Sequence, residues 1–151
     1  MGPAERVLVV GGGIGGLTLA AALRGAGIAV ELVEQAEHWP AVGAGLSIQP
    51  NGTRVLRRLG LDAGVAARGC VLERWVFADQ HGTALCEIDL ESVWGDVGAF
   101  VGIGRAALED ALVEGAAGVE CRLGTTITSI LDTGPAADVA FTDGSTRMFG
   151  P

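Results

Sequence analysis

The chain has 151 residues, 49% hydrophobic and 5% aromatic, and a formal net charge of −8. A chain of this length and hydrophobic content is expected to fold as one domain with a packed core, and not to be disordered. Its acidity argues against a nucleic-acid or membrane partner, and the absence of lysine excludes a P-loop lysine and Schiff-base chemistry.

The segment Val7–Glu34 predicts a strand, a tight turn, a helix, a second strand and a terminal acid. An apolar run, Val7–Val10, precedes six residues of which five are glycine, and an Ala- and Leu-rich helix follows to Gly27. A second apolar run, Ala29–Val33, ends at Glu34. A strand–helix–strand unit of this length predicts two parallel strands joined by a right-handed crossover.

Three glycines spaced Gly11-x-Gly13-x-x-Gly16 each have a separate mechanical reason. Gly11 allows the chain to leave the strand in a sharp turn, Gly13 lets the backbone approach a pyrophosphate, and Gly16 lets the helix pack closely on the sheet. The free N–H groups at the helix N-terminus favour an anion. Glu34, 18 residues after Gly16, has the position of an acid that binds a ribose hydroxyl. The segment therefore predicts a dinucleotide site.

Two other interpretations of this segment compete with a dinucleotide site. Its uncharged stretch, Val7–Leu23, resembles the apolar part of a signal peptide, but the residues before it include an acid and so are not positively charged. A membrane helix with Gly11 and Gly15 at a dimer face is the other, but the stretch is short for a span and begins like a strand.

The rest of the chain predicts shorter elements of both kinds. Gln35–Gln49 is expected to be irregular and Leu90–Gly98 to be a loop. Helices are predicted from Pro50 to Leu59 and at Arg105–Gly115, with a short turn or helix around Leu61–Ala67. Strands are predicted at Val71–Ala78, Thr83–Asp89 and Ala99–Ile103. A four-stranded β meander is predicted at Val119–Arg122, Thr125–Leu131, Asp138–Thr142 and Ser145–Phe149. Asp143-Gly144 is typical of a hairpin turn.

The cysteines, histidines and tryptophans suggest no further chemistry. Cys70, Cys86 and Cys121 form no CxxC pattern, so we expect reduced, buried thiols and a cytoplasmic location. No spacing indicates a metal site or a catalytic triad. The two histidines are expected at the surface and the three tryptophans in packing contacts.

Three ordered blocks resemble the class A flavin monooxygenases related to p-hydroxybenzoate and salicylate hydroxylases. The first is the glycine pattern extended by Ala20 and Gly27. The second is Val42–Gly52, with Leu56, Leu59, Gly60 and Leu61 after it. The third is Ile103-Gly104-Arg105-x-x-Leu108-x-x-x-Leu112, in which the family's arginine contacts the flavin cofactor.

The resemblance implies a Rossmann-like α/β fold with a parallel sheet and a meander that binds FAD, and an oxidoreductase that uses NAD(P)H to hydroxylate an aromatic or polyketide-like small molecule through a C4a-hydroperoxyflavin. Residues 1–151 would form an incomplete FAD-binding domain, with 70–98 as a β-hairpin excursion belonging to the substrate domain. The flavin performs the chemistry, so no catalytic residue is assigned. The cofactor-binding residues would be Gly11, Gly13, Ile14, Gly15, Gly16, Glu34, Gln35, Gly45 and Arg105.

Arg105 also has an argument from the residues alone. A cation at the start of a helix is disfavoured by the helix dipole, and a cofactor phosphate nearby would relieve this. The alternatives are a solvated side chain or an ion pair with Glu109 or Asp110.

The chain departs from the family pattern in two ways. Gln35–Thr53 lacks the basic residue that contacts the pyrophosphate in the family, which leaves Arg54 as the nearest candidate. The family's later Asp-Gly and Gly-Asp motifs are expected beyond the end of this chain, and Asp143-Gly144 is not the first of them, because it lies between two strand-like runs. Two alternatives therefore stay open: a non-catalytic FAD-binding fragment that associates with itself or a complementary chain, and a NAD(P)-dependent reductase.

Overall fold

The architecture is taken from a computed structural model, which describes residues 6–39 and 43–150. In chain order the elements are β1 (Arg6–Val10), α1 (Ile14–Gly25), β2 (Ala29–Val33), β3 (Gly45–Ile48), α2 (Pro50–Arg58), α3 (Asp62–Ala66), β4 (Gly69–Leu72), β5 (Arg74–Ala78), β6 (Ala84–Asp89), α4 (Leu90–Trp94), β7 (Phe100–Gly104), α5 (Arg105–Gly115), β8 (Glu120–Arg122), β9 (Ile127–Asp132), β10 (Ala137–Phe141) and β11 (Thr146–Phe149). The mixed α/β class predicted from the sequence is confirmed. The chain divides into two compact units, Met1–Ala41 with Leu112–Pro151, and Val42–Ala111.

The first unit is built on a parallel sheet in the order β1-β2-β8. The predicted strand–helix–strand segment is present, and β1 and β2 pair in parallel from Arg6↔Ala29 to Val10↔Val33. Helix α1 buries Leu17, Ala20 and Ala21 because these residues repeat at helical spacing. Gly27, at φ +77°, ends the helix as predicted, in a conformation that side chains rarely adopt.

An antiparallel meander, β9-β10-β11, supplies the other half of this unit's core. Val33 of the parallel sheet packs with Val139, Phe141 and Phe149 of the meander, and all four are buried. Asp143-Gly144 forms the predicted turn, with Gly144 at φ +82°. The parallel and antiparallel pieces therefore share one hydrophobic cluster.

A fully buried acid, Glu31, interrupts the apolar residues of β2. Its carboxylate accepts hydrogen bonds from Arg122 Nη1 and Arg147 Nη1, both at 2.9 Å, and lies 3.2 Å from Arg6 Nη2. Glu120 forms ion pairs with Arg6 and Arg147. Asp143 forms an ion pair with Arg122. We call these six residues the Glu31 cluster, in which three cations meet three carboxylates.

The exposed carboxyls of the Glu31 cluster have shifted pKa values. Hydrogen bonds from Ser145 and then from Arg122 lower the pKa of Asp143 to about 2. The hydrogen bond from Arg147 is the largest cause that lowers the pKa of Glu120. The hydrogen bond to Glu31 raises the pKa of Arg122. Each net shift favours the charged form, because hydrogen bonds and opposite charges outweigh desolvation and, for Arg122, the repulsion from Arg147.

The second unit contains an antiparallel sheet in the order β3-β7-β4 and a separate β5-β6 hairpin. Helices α2 and α3 pack in this unit and bury Leu56 and Val65. Thr53 Oγ1 donates to the carbonyls of Pro50 and Ala99, which ties the start of α2 to the residue before β7. The hairpin is largely exposed, with Val76 at 55% and Leu85 at 70% of their possible surface.

Four predictions about individual elements are wrong. The predicted strand Val71–Ala78 is two strands separated at Glu73, because β4 pairs with β7 whereas β5 pairs with β6. Val119–Arg122 is not part of the meander, since β8 joins β2 in parallel. A strand, β3, lies inside the segment expected to be irregular. A short helix, α4, opens the expected loop because the Asp89 side chain caps the N–H groups of Glu91 and Ser92.

The three cysteines are exposed, so the prediction that they are buried is wrong. His38 and His81 are exposed, as predicted. None of the helices in the described ranges has the length and apolar character needed to cross a bilayer. Pro40 and Val42, which belong to the predicted irregular segment and the second sequence block, lie outside the described residues.

Candidate cofactor site

The predicted glycine turn leaves β1 sharply and leads directly into α1. Gly11 has φ +99°, and its N–H donates to the carbonyl of Val33 at 2.8 Å. The turn is thereby attached to the end of the neighbouring strand. The left-handed backbone at Gly11 is the conformation for which the sequence pattern required a glycine.

Gly16 is the position where the helix and the turn come closest. A Cβ built on Gly16 would lie 1.8 Å from the carbonyl oxygen of Gly11, far inside any permitted contact. The Gly11 oxygen belongs to the backbone, so it cannot move aside as the end of a flexible side chain could. The close helix–strand approach that the sequence predicted for Gly16 is therefore present.

Open space lies beside Gly13 and Gly15 at the start of α1. Gly13 is the N-cap, and neither it nor Gly15 has an atom of the described chain within 4 Å of a built Cβ. Among the described residues no side chain caps the helix, and its first turn contains no acid. The first N–H groups of a helix have no partner within it, so this end can receive an anion.

The Glu34 carboxylate lies beside the glycine turn. Its two oxygens accept the N–H of Gly12 at 2.6 Å and the N–H of Ala36 at 2.8 Å. Its backbone donates to the carbonyl of Arg122 at 3.0 Å, and its carbonyl accepts from the N–H of Thr125 at 2.9 Å. Each carboxylate oxygen can accept more than one hydrogen bond, so Glu34 can still bind hydroxyl groups.

Trp39 is a neighbour of the turn that the sequence did not single out. A Cβ built on Gly12 would lie 2.5 Å from Cζ3 of the Trp39 ring and 3.1 Å from Cβ of Glu34. The indole therefore packs against Gly12, in agreement with the packing role expected for the tryptophans. Gly12 is not one of the three spaced glycines of the pattern. Its place in the run Gly11-Gly12-Gly13 is the only sequence feature that indicates a close contact here.

In the second unit the structure joins two sequence blocks that are far apart in the chain. Strands β3 and β7 pair from Gly45↔Gly104 to Ile48↔Val101, which places the second block beside the third. The N–H of Arg105 donates to the carbonyl of Ala44 at 3.2 Å. A Cβ built on Gly43 would lie 2.7 Å from Cβ of Arg105, so the glycine is needed to admit the arginine stem.

Arg105 forms an ion pair with Glu109, one of the alternatives to a cofactor contact. Its Nε donates to Oε1 of Glu109 at 3.1 Å, one helical turn further along α5. The Arg105 side chain is 53% exposed, whereas that of Glu109 is 4% exposed. The contact of Arg105 with a cofactor stays a prediction, since the ion pair uses one of its three nitrogens.

The other predicted binding residues are accessible. Gln35 and Gly45 are exposed and Ile14 is half-buried. Arg54, the nearest basic candidate for a pyrophosphate, is also exposed. The glycine turn, Glu34 and Gln35 belong to the first unit, and Gly45 and Arg105 belong to the second.

Comparisons with known proteins identify the family to which this chain is similar. The model of a family described as FAD binding domain matches residues 5–147. The aurachin C monooxygenase/isomerase of Stigmatella aurantiaca is 41% identical over 107 residues, which are 70% of this chain and 28% of that protein. A 3-amino-4-hydroxybenzoate 2-monooxygenase of Streptomyces platensis is 36% identical over 96% of this chain and 37% of its own length.

A solved structure shows the same fold. A variant of HpxO from Klebsiella pneumoniae, crystallised in complex with FAD, superposes with a TM-score of 0.86 at 25% identity. The match covers 97% of this chain and 38% of HpxO. The chain thus spans less than two fifths of the length of each of these relatives.

Proposed function

Because this chain belongs to the family of FAD-binding domains, we propose that it supplies the FAD-binding portion of a flavin-dependent monooxygenase that acts on an aromatic small molecule. The relatives support this proposal, because they include monooxygenases of 3-amino-4-hydroxybenzoate and of 6-hydroxynicotinate. Both names describe a hydroxylated aromatic ring that carries a carboxylate. The family match therefore supports the proposed cofactor, and the relatives' names support the proposed class of substrate.

One observation carries the assignment of the adenosine half of FAD to the first unit. The uncapped N-terminus of α1 faces open space at Gly13, and the Glu34 carboxylate lies at the same turn. A pyrophosphate suits the first feature, because N–H groups and the helix dipole attract negative charge. A ribose suits the second, because its hydroxyl groups donate to a carboxylate.

The residues proposed to hold FAD are Gly11, Gly13, Ile14, Gly15, Gly16, Glu34, Gln35, Gly45 and Arg105. When bound and reduced by NAD(P)H, the flavin supplies oxygen activation and transfer to the ring, and the protein contributes binding and orientation. The finer fold assignment, a Rossmann-like domain with residues 70–98 as an excursion toward a substrate domain, is part of the same proposal. It is supported by the parallel β1-β2-β8 sheet and by the exposed β5-β6 hairpin.

Competition among nucleotides tests this proposal directly. The purified chain would be titrated with FAD by flavin fluorescence, and then with ADP, FMN and NAD as competitors. We expect FAD to bind and ADP to displace it, while FMN, which lacks the adenosine half, competes poorly. FMN binding as tightly as FAD would contradict the assignment of the adenosine site. NAD binding more tightly than FAD would instead support a NAD(P)-dependent reductase.

Association with a second copy or with a complementary chain is a separate candidate function, and one feature favours it. Within the described residues, β1 has a full ladder on one side only, formed with β2, while its other side has a single bridge, Arg6↔Gly150. Val7 and Val10 on this strand are 37% and 47% exposed. An open strand edge pairs readily with another chain.

Molecular mass and colour separate the two candidates. A monomeric chain by size-exclusion chromatography with light scattering, yellow after reconstitution with FAD, supports cofactor binding by the chain alone. A colourless oligomer whose β1 edge is protected from hydrogen exchange supports association as the primary role.

A further inference from the structure

Arg105 is held at three points by its own unit. The Ala44 carbonyl accepts its backbone N–H, Gly43 leaves room for its methylene stem, and Glu109 accepts a hydrogen bond from its Nε. These contacts fix the side chain up to the guanidinium group. Among the described residues, the two terminal nitrogens of Arg105 have no hydrogen-bond acceptor. Their N–H groups form the edge of the guanidinium that suits an anion.

Glu109 is an unusual partner for an exposed arginine. The residue is only 3% exposed, and its second carboxylate oxygen, Oε2, is buried without a hydrogen-bond partner among the described residues. A buried carboxylate with an unsatisfied oxygen costs stability, whereas an apolar residue of similar shape would cost none. Apart from the pairing with Arg105, the fold therefore gives no reason for an acid at this position.

The place of Arg105 in the helix adds to this argument. Arg105 begins α5, where the helix dipole disfavours a positive charge. The Glu109 carboxylate, one turn along, offsets that cost and holds Nε at the same time. Its single hydrogen bond to Nε leaves the outer edge of the guanidinium available.

We propose that Glu109 is a positioning residue, which sets the Arg105 guanidinium so that its terminal nitrogens bind a phosphate of FAD. This inference rests on the proposed FAD-binding function. It extends that function by naming a residue that acts through Arg105 and contacts no cofactor atom itself.

Positioning and simple charge make opposite predictions for the loss of Glu109. If only charge mattered, removing a carboxylate beside a phosphate-binding arginine would tighten FAD binding. If Glu109 positions Arg105, its removal weakens FAD binding even though the site becomes more positive. A purely structural role predicts a third result, a loss of thermal stability.

The experiment compares variants of the whole chain by FAD titration and thermal unfolding without FAD. We expect Glu109→Leu to weaken FAD binding by about tenfold, the loss of one charge-assisted hydrogen bond, while its melting temperature stays equal or rises. Glu109→Gln should retain most of the affinity, because its amide oxygen can still accept from Nε. Asp110→Asn is the matched control, since it removes the same charge from an exposed position on the same helix and should change neither quantity.

The result that would overturn the inference is clear in each measurement. Unchanged or tighter FAD binding by Glu109→Leu would refute positioning, and a lowered melting temperature or unfolding would show that the pair serves the fold. The weakening must also disappear in an Arg105→Gln background, because the residue acts through that arginine. Failure of the unsubstituted chain to bind FAD would overturn the proposed function as well, whereas normal binding with an unaffected Glu109→Leu would overturn this inference alone.

Discussion

Replacing Glu31 by glutamine tests how the parallel sheet that carries Glu34 is held against the meander. The substitution keeps the shape of the side chain but leaves three arginines facing two carboxylates, so one positive charge is uncompensated. It also turns an amide NH2 toward a guanidinium that previously donated to a carboxylate oxygen at 2.9 Å. Both changes occur at a side chain with no exposed surface.

The expected cost follows from the burial of each partner. Breaking a fully buried ion pair costs about 3–5 kcal/mol, and an exposed pair contributes about 0–1 kcal/mol. The Arg122 side chain is 14% exposed, but those of Arg6 and Arg147 are 31% and 36% exposed. Because solvent screens two of the three partners, we expect a loss of about 2–4 kcal/mol in the free energy of unfolding.

Urea denaturation followed by circular dichroism measures this loss. Glu120→Gln is the control, because it removes the same charge from the same cluster at a side chain that is 47% exposed. It should cost less than about 1 kcal/mol. Equal effects of the two substitutions, or a Glu31→Gln variant as stable as the unsubstituted chain, would refute the view that burial makes Glu31 the centre of the cluster.

Two further predictions follow from the first unit. Gly16→Ala places a methyl group 1.8 Å from the Gly11 carbonyl oxygen, so we expect FAD binding to be lost and the free energy of unfolding to fall by about 1–3 kcal/mol. Gly25→Ala is the control, because Gly25 has open space around it in the same helix. Equal effects of the two substitutions would contradict the close contact at Gly16. Acid should weaken the Glu31 cluster: Asp143, with a pKa near 2 against an ordinary 3.8, and Glu120, lowered from 4.5, stabilise the fold above their ordinary pKa values. The free energy of unfolding should therefore fall as the pH drops from 4.5 toward 2, and Asp143→Asn should flatten the lower part of this curve; a curve of unchanged shape would contradict the pairing.

The glycine turn could be predicted from the sequence because its constraints are local. The left-handed turn at Gly11 and the close contact at Gly16 arise within six consecutive residues. The strand–helix–strand segment and the Asp143-Gly144 turn are equally local. Residues near one another in the chain decide these features, so spacing alone suffices.

Features that depend on distant partners could not be predicted in the same way. Glu31 lies 91 residues from Arg122 and 116 residues from Arg147. The residues near it in the sequence therefore do not predict that it forms ion pairs. The break at Glu73 occurs because β4 pairs with β7 whereas β5 pairs with β6. The three residues of β8 gave no sign that they would join β2 and not the meander.

The candidate site divides along the same line. The sequence predicts Gly13, Gly16 and Glu34 as parts of one site, and the structure places the glycine turn and the Glu34 carboxylate side by side in the first unit. The contacts around Arg105 depend on the β3–β7 pairing, which joins segments more than fifty residues apart. Trp39 was expected only to pack, and its partner, the glycine turn, became visible in three dimensions.

FAD affinity of Glu34→Ala, measured beside the unsubstituted chain, tests the central claim that the glycine turn and this acid bind the adenosine half of the cofactor. We expect a loss of about 1.5–3 kcal/mol, which is a tenfold or larger rise in the dissociation constant. Glu37→Ala, an exposed acid on the same segment, should bind FAD normally. An unchanged FAD affinity in Glu34→Ala, or an equal loss in both variants, would contradict the claim.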